Sequence, residues 1–188
     1  MISFAVVTIL DLPILGMVLY KHERQEQALM ALEEKSLPDD LVRAVSRHTL
    51  AYVLCSISEL FRHYDFDPLD LLIVHAILNA NVLNVMKDDA LDKRFASVHA
   101  TEPDAVKQGV SRATLSRFLN LPIETIRRRA NQLKKRGILA ERDDGLLVSE
   151  TNQFKFGNNH HLQRMNIIFV RKLLRDLART GIHGPDDL

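Results

Sequence analysis

The sequence predicts a mainly α-helical protein with one short β-hairpin. Its 188 residues are 46% hydrophobic, so the chain is long and apolar enough to bury a core. Only 7 Gly and 6 Pro interrupt it, and Leu, Ile, Ala, Glu, Lys and Arg repeat at helical spacing through most of its length. An Asp-Gly pair, Asp144-Gly145, lies between two short apolar runs and indicates the hairpin.

The apolar start of the chain belongs to a predicted helical region, residues 1–66, which we expect to serve packing or dimerisation. Its first 20 residues do not match a signal peptide, because no basic region precedes Ile2. A membrane span would have to bury Asp11 and accommodate Pro13 near its middle. We therefore expect a buried helix broken near Pro13, or a segment that packs on a second subunit. A membrane anchor is the remaining alternative.

Two further helices follow in this region. The segment from Lys21 to Glu34 is predicted to form a charged helix, and residues 36–40 contain a stop and a new start. The next helix is predicted from Leu41 to Tyr64. The only cysteine, Cys55, lies in its apolar run and is expected to act as a small buried hydrophobic residue. One cysteine excludes an internal disulfide and fits a reducing compartment, so we expect a cytoplasmic protein.

The second predicted region, residues 67–150, has the clearest start and stop signals. Asp67-Pro68 is an N-cap followed by Pro, and it opens an apolar helix that should run to about Met86. Residues 87–108 are mixed in character and are expected to form a helical turn and then a loop. Ser111 can cap a short helix, Arg112 to Asn120, with apolar positions at Leu115, Phe118 and Leu119.

A tight turn and a basic helix come next. Asn120-Leu121-Pro122 is a turn signal, and Pro122 can start a helix that ends at Arg136, before Gly137. The predicted inward stripe of this helix consists of Ile123, Ile126, Ala130 and Leu133. Residues 138–142 and 146–149 are the predicted strands of the hairpin. In the third region, residues 151–188, the segment from Asn159 to Thr180 is predicted to be an amphipathic helix that also serves dimerisation.

The run VSRATLSRFLNLPIETIRRRANQLKKRGILAERDDGLLVS, residues 110–149, resembles the winged helix-turn-helix of prokaryotic transcription regulators. The likeness is to the DNA-binding domains of the GntR, MarR and Crp types. It implies that residues 122–136 form a recognition helix in the major groove, that the hairpin is a wing, and that the protein is a homodimeric, sequence-specific DNA-binding regulator and not an enzyme. The long insert at residues 87–108 departs from the pattern and leaves the subfamily open.

The charge distribution agrees with this resemblance. Residues 111–136 contain eight basic residues and one acidic residue, although the whole chain has a net charge of only +1. On the helix face opposite the inward stripe, Thr125 and Arg128 are the candidates for base contacts. Glu124 either accepts from cytosine or complements the helix N-terminus, and we favour the second role. The remaining members of this face are Asn131, Gln132 and Lys135.

Phosphate contacts are assigned to residues that flank the recognition face. Such contacts set the register of a protein on DNA without reading its sequence. The wing residue Arg142 is a candidate for the minor groove, but Asp143 and Asp144 would repel DNA at the wing tip. The other candidates are Ser111, Arg112, Ser116, Arg117, Arg127 and Arg129, and Pro122 at the start of the basic helix completes the predicted DNA-binding set.

Other functions find less support in the sequence. The histidines match no metal-site spacing, no catalytic constellation is present, and we expect neither a metal nor a cofactor. His75 either lines a small ligand pocket or is a hydrogen-bonded core histidine, and we favour the second. The alternative to DNA binding is a protein-interaction module whose basic face meets an acidic partner. If a small-molecule effector exists, we expect it among the helices of residues 41–86.

Overall fold

The structure is a computed structural model that describes residues 39–184 and residue 187. It is mainly helical, with a small antiparallel sheet of two strands, as the sequence predicts. The helices are α1 (Asp39–His63), α2 (Pro68–Val82), α3 (Asp89–Phe95), α4 (Arg112–Leu119), α5 (Ile123–Lys135) and α6 (His160–Ala178). The strands are β1 (Leu139–Arg142) and β2 (Gly145–Val148), and a 3-10 turn, Val85–Lys87, follows α2. The predictions for residues 1–38 lie outside the described residues.

Helix α2 is the centre of the core. The Asp67 carboxylate caps it by accepting from the backbone N–H of Leu69 at 2.8 Å, and Pro68 follows, as predicted. Its Leu71, Ile73 and Ile77 are fully buried. By length and composition alone the stretch Pro68–Lys87 would suit a membrane span, but half of it is buried inside the protein. The predicted helix to Met86 is interrupted after Val82, where the 3-10 turn begins.

Helices α4 and α5 and the hairpin pack around α2. The buried side chains Leu115 of α4, Ile126 and Leu133 of α5, and Leu146 of β2 belong to the same core cluster as α2. The hairpin register pairs Leu139 with Val148 and leaves Asp143-Asp144 as its two-residue turn. This arrangement places the outer side of α5 away from the core.

Helices α1 and α6 form an antiparallel pair beside this core. The pairing is defined at one end by Asn159, whose side chain contacts His63, and further along by Tyr52, whose hydroxyl donates to the side chain of Asn166 at 3.0 Å. Because α1 packs through one side only, Cys55 on its flank is exposed. The prediction of a buried Cys55 was wrong for this reason.

Two large apolar side chains of α4 and α5 are also exposed. Ile123 was assigned to the inward stripe of α5, but it is about half exposed, because the first turn of α5 extends past the core and burial begins at Ile126. Phe118 is similarly exposed, because it lies at the edge of a small groove that Ala76 of α2 and Leu83 also line, and no side chain covers it fully. The prediction for Ile123 was wrong because, at the end of a short helix, the apolar period alone does not define what covers a side chain.

Candidate nucleic-acid interface

Local interactions fix the geometry of α4, the turn and α5. The Ser111 hydroxyl caps α4 by accepting from the backbone N–H of Thr114 at 3.1 Å. Asn120 ends α4 in the left-handed conformation, with φ of 50°, which asparagine adopts more readily than most residues. The Ser116 hydroxyl then donates to the carbonyl of Leu121 at 2.6 Å. Pro122 is the N-cap residue of α5, so the basic helix begins directly after the turn.

The hairpin is tied to the core by Asn81 of α2, a residue that was not predicted from the sequence. Its amide nitrogen donates to the carbonyls of Gln108 at 2.7 Å and Leu146 at 3.2 Å, and its amide oxygen accepts from the backbone N–H of Val148 at 2.9 Å. The Asn81 side chain is fully buried. The sequence signal for this role was weak, because Asn81 is one of two asparagines in this mainly apolar helix.

The segment just before α4 extends the sheet. Val110 forms an isolated antiparallel bridge with Leu146, with backbone hydrogen bonds of 3.0 and 2.9 Å. Gly145 lies so close to Val110 that a Cβ atom on it would be only 2.6 Å from the Val110 carbonyl carbon. The segment before α4 and the start of β2 are therefore held together by backbone contacts.

The outer face of α5 is basic and solvent-exposed. Ile126, Ala130 and Leu133 are fully buried on one side, and the helical period places Arg128 and Lys135 on the opposite side, where both are exposed. Glu124 and Gln132 are also exposed, whereas Thr125 and Asn131 are half-buried. The exposure of Glu124, Arg128, Gln132 and Lys135 agrees with their predicted outward placement, whereas Thr125 and Asn131 are only partly exposed.

Half of the eight basic residues between residues 111 and 136 are paired with carboxylates. Glu141 of β1 binds two of them, Arg112 at 2.5 Å and Lys134. The hydrogen bond from Arg112 and then that from Lys134 lower the pKa of Glu141 from 4.5 to about 2. This cluster ties β1 to both α4 and α5, so Arg112 has a structural partner.

Arg129 faces the interior side of α5. Its guanidinium lies 3.1 Å from the Asp70 carboxylate and 3.2 Å from that of Asp67, and only 20% of its side chain is exposed. It thereby joins α5 to the start of α2. The geometry gives this predicted phosphate contact an internal role.

Arg127 and Arg142 also have intramolecular partners. Arg127 lies on the surface in an ion pair with Glu124, 2.5 Å away and three residues earlier. The hydrogen bond from Arg127 is the main cause of the lowered pKa of Glu124. At the hairpin, Arg142 pairs with Asp144 at 2.8 Å and donates to the carbonyls of Asp104 and Lys107, both at 2.7 Å. Arg142 therefore joins the hairpin to the segment before α4.

Four of the eight cations remain without a carboxylate partner within the part of the chain that the structure describes. Arg117 on α4 and Arg128 and Lys135 on α5 are exposed and have no side-chain hydrogen bond there. Arg136 stacks on the Phe66 ring, with its guanidinium carbon 3.8 Å from the ring centroid. The basic surface is thus smaller than the sequence suggests, and Arg128 and Lys135 lie at its centre.

The structure also contains a large apolar cavity of about 680 Å³ between α1, α2 and α6. His75 lines it, with Nδ1 2.8 Å from the carbonyl oxygen of Leu71, and burial lowers the pKa of its imidazole. The predicted hydrogen bond of His75 is present, but the residue is partly exposed and lines the cavity, which is the alternative given above. Within residues 39–184, no three His, Cys, Asp or Glu side chains are grouped as a metal ion would require.

Comparison of the chain with protein-family models, with curated proteins and with solved structures finds no match.

Proposed function

We propose that this chain binds double-stranded DNA as a transcriptional regulator, through a winged helix-turn-helix formed by residues 67–150. Two helices joined by a tight turn are followed directly by a hairpin, and Val110 adds a third chain segment to that hairpin. This order of elements agrees with the resemblance carried by residues 110–149. In this proposal α5 is the recognition helix and the hairpin is the wing.

The outer face of α5 is the observation that carries the proposal. It presents Arg128 and Lys135 to solvent directly opposite the buried stripe, without a carboxylate partner among the described residues. Positive charges clustered on one helix face attract a polyanion, and a basic face on the second helix of a helix-turn-helix is the arrangement that DNA recognition requires. An α-helix with this face outward fits the major groove.

Each residue on this surface has a distinct role in the proposed complex. Arg128 reaches the base edges, where its guanidinium can bond guanine O6 and N7 together, and Gln132 can bond adenine in the same bidentate manner. Thr125, in the first turn, contributes a methyl contact to thymine. Lys135 and Arg117 contact phosphates and fix the register.

The paired cations have a supporting role. Arg112, Arg129 and Arg142 hold the scaffold through Glu141, Asp70 and Asp144, so we do not assign them phosphate contacts. The wing contributes little, because exposed Asp143 and Asp144 form its tip.

Fluorescence anisotropy of the full chain tests the proposal. The probes are a random-sequence duplex and labelled fragments from upstream of the protein's own gene, each titrated from low to physiological salt. We expect binding to all duplexes at low salt, a log K that falls linearly with log salt, and preference for some fragments at physiological salt. Absence of binding at low salt would contradict the proposal and favour a protein-interaction module with an acidic partner.

A further inference from the structure

The outward side of helix α6 alternates arginine with aliphatic side chains. Six exposed residues form it, and we name them the α6 face: Arg164, Ile167, Ile168, Arg171, Leu174 and Arg175. Each of its three aliphatic side chains is at least 49% exposed. The six recur at the three- and four-residue spacing of one side of a helix, so they form a continuous strip about three turns long.

The α6 face points away from the rest of the protein. Phe169 packs toward α1, where it lines a crevice with Tyr52 and Cys55. At about 100° per residue, Arg171 lies about 160° from Phe169 around the helix axis. Met165 and Phe169 line the cavity beside α2, and none of the six residues does. A partner of the α6 face would therefore meet a convex surface and not a pocket.

The positive charges of this face are not compensated within the part of the chain that the structure describes. Arg164, Arg171 and Arg175 are exposed and have no salt bridge or side-chain hydrogen bond there. The only carboxylate of α6, Asp176, is 13% exposed and is already paired with Lys172 and Arg179. The face therefore carries three free arginines and no acidic residue.

The neighbouring helix α1 adds exposed cations and no exposed acid between residues 41 and 63. Its exposed cations are Arg43, Arg47 and Arg62. Arg62 is paired with Glu59, which is buried and also contacts His161 of α6. The other acidic residues in or next to these two helices lie at their ends: Asp39 and Asp40 in the first turn of α1, Asp65 after its last turn, and Asp187 after α6. The acidic residues are thus kept away from the middle of the helix pair.

We propose that the α6 face binds the surface of a bilayer that contains anionic phospholipids. Helices that lie in a membrane interface combine basic side chains, which meet the lipid phosphates, with aliphatic side chains, which enter the acyl boundary. A convex face suits such a surface, whereas a folded protein partner is usually anchored in a pocket. The phosphates of DNA would engage the arginines but leave Ile167, Ile168 and Leu174 in water. The exposed aliphatic side chains therefore favour lipid over nucleic acid.

Co-sedimentation of the full chain with phospholipid vesicles tests this inference, which does not rest on DNA binding because the α6 face and the outer face of α5 share no residue. We expect binding to vesicles of phosphatidylglycerol and phosphatidylcholine in equal parts, weaker binding as salt rises, and little binding to phosphatidylcholine alone. A wild-type chain that does not bind the anionic vesicles, or that binds both kinds equally, would overturn the proposal.

Two triple variants locate the contact. Arg164→Ala, Arg171→Ala and Arg175→Ala together should weaken binding to the anionic vesicles by about 100-fold, since each arginine near an anionic surface contributes about fivefold. The matched control removes the same number of charges from α4 and α5, through Arg117→Ala, Arg128→Ala and Lys135→Ala, and should keep the wild-type vesicle affinity. Equal vesicle affinities of the two variants would contradict the proposal, since another segment would then hold the chain on the bilayer. An α6 variant that lost affinity for duplex DNA but not for vesicles would make this face a nucleic-acid contact and would also contradict it.

A tryptophan reporter keeps the test independent of misfolding. The chain has no tryptophan, so Ile168→Trp introduces a single one on the α6 face, and Met86→Trp introduces a single one at an exposed position of the 3-10 turn. Anionic vesicles should shift the emission of Ile168→Trp to shorter wavelength and protect it from acrylamide, and should leave Met86→Trp unchanged. An unchanged emission of Ile168→Trp in vesicle-bound protein would show that the α6 face stays outside the bilayer, against the proposal.

Discussion

Helices α5 and α1 each bury one side and expose the other, but their exposed sides differ in chemistry. On α5 the exposed side carries Arg128 and Lys135, whose charges remain without carboxylate partners among the described residues. On α1 the exposed side carries Leu54 and Ile57 and has no charge between residues 50 and 58. A charged face is well solvated in water and can bind a polyanion. An apolar face contributes to stability only when another apolar surface covers it.

The exposed cations of α5 support the proposal of DNA binding, whereas the exposed apolar side chains of α1 do not suit a polyanion. The two surfaces are on separate parts of the fold, because the first is held by α2 and the hairpin and the second by the pairing of α1 with α6. Variants of one surface should therefore leave the other intact.

The largest expected effect comes from the scaffold beneath α5. Asn81→Ala removes three hydrogen bonds and leaves the buried polar groups of Gln108, Leu146 and Val148 without their partner. We expect the free energy of unfolding to fall by about 3 kcal/mol. Urea denaturation measures it, with Asn79→Ala as the control, because the Asn79 side chain lies on the same helix without that buried network. Equal losses in the two variants would show that Asn81 does not anchor the hairpin.

Arg129 and Arg128 are adjacent in the chain, but Arg129 has an internal carboxylate partner and Arg128 is exposed. Comparing their variants distinguishes a structural cation from an exposed one. Arg129→Ala leaves the carboxylate of Asp70, which is only 10% exposed, without its partner. We expect it to lower the free energy of unfolding by about 2 kcal/mol, and we expect Arg128→Ala to change it little. DNA affinity at a temperature where both variants are folded should show the reverse order. A larger loss of DNA affinity for Arg129→Ala than for Arg128→Ala would show that Arg129 belongs to the DNA interface.

Glu141→Gln tests whether the ion pairs of Glu141 keep Arg112 and Lys134 from contacting DNA. At pH 7 we expect it to destabilise the fold by about 1 kcal/mol, because the contacts of Arg112 and Lys134 weaken. The lowered pKa of Glu141 means that its contribution is fully present above 4.5 and decreases as the pH falls toward about 2. Wild type and variant should therefore converge in stability across that window.

The same variant should bind DNA more tightly at low salt, since it releases two cations. Glu141→Asp, which keeps the charge, is the control and should not tighten binding. Unchanged DNA affinity in Glu141→Gln would show that Arg112 and Lys134 point away from the nucleic acid.

The smallest effect is expected from the surface pair of Glu124 and Arg127. Arg127→Ala removes the main cause of the lowered pKa of Glu124, so that pKa should rise toward 4.5. An NMR titration of the Glu124 carboxyl measures the change, and the midpoint of thermal unfolding should stay constant. A clear loss of stability would show that the pair of Glu124 and Arg127 stabilises the fold more than exposed ion pairs ordinarily do.

Local signals in the sequence were sufficient to place most elements. The Ser111 cap, the Asn120-Leu121-Pro122 turn and Gly137 limit α4 and α5 to within about one residue of their observed ends. The outer face of α5 followed from the helical period. These features depend on residues that are close together in the chain.

Long-range partners could not be predicted in the same way. The internal role of Arg129 depends on Asp70, which is 59 positions away, and that of Arg112 depends on Glu141, 29 positions away. The charge count between residues 111 and 136 therefore overstated the free positive surface. The exposure of Cys55 was missed for a similar reason, since it depends on how α6 packs along α1.

The most direct test of DNA binding through α5 is the salt dependence of affinity for three proteins: wild type, Arg128→Ala with Lys135→Ala, and Arg171→Ala with Arg175→Ala. Both double variants remove two positive charges, but only the first removes them from the outer face of α5. We predict that the α5 variant flattens the slope of log K against log salt by about 0.9 for each phosphate that it no longer neutralises, and that the α6 variant keeps the wild-type slope. Equal slopes in all three proteins, or flattening only in the α6 variant, would contradict the proposed interface.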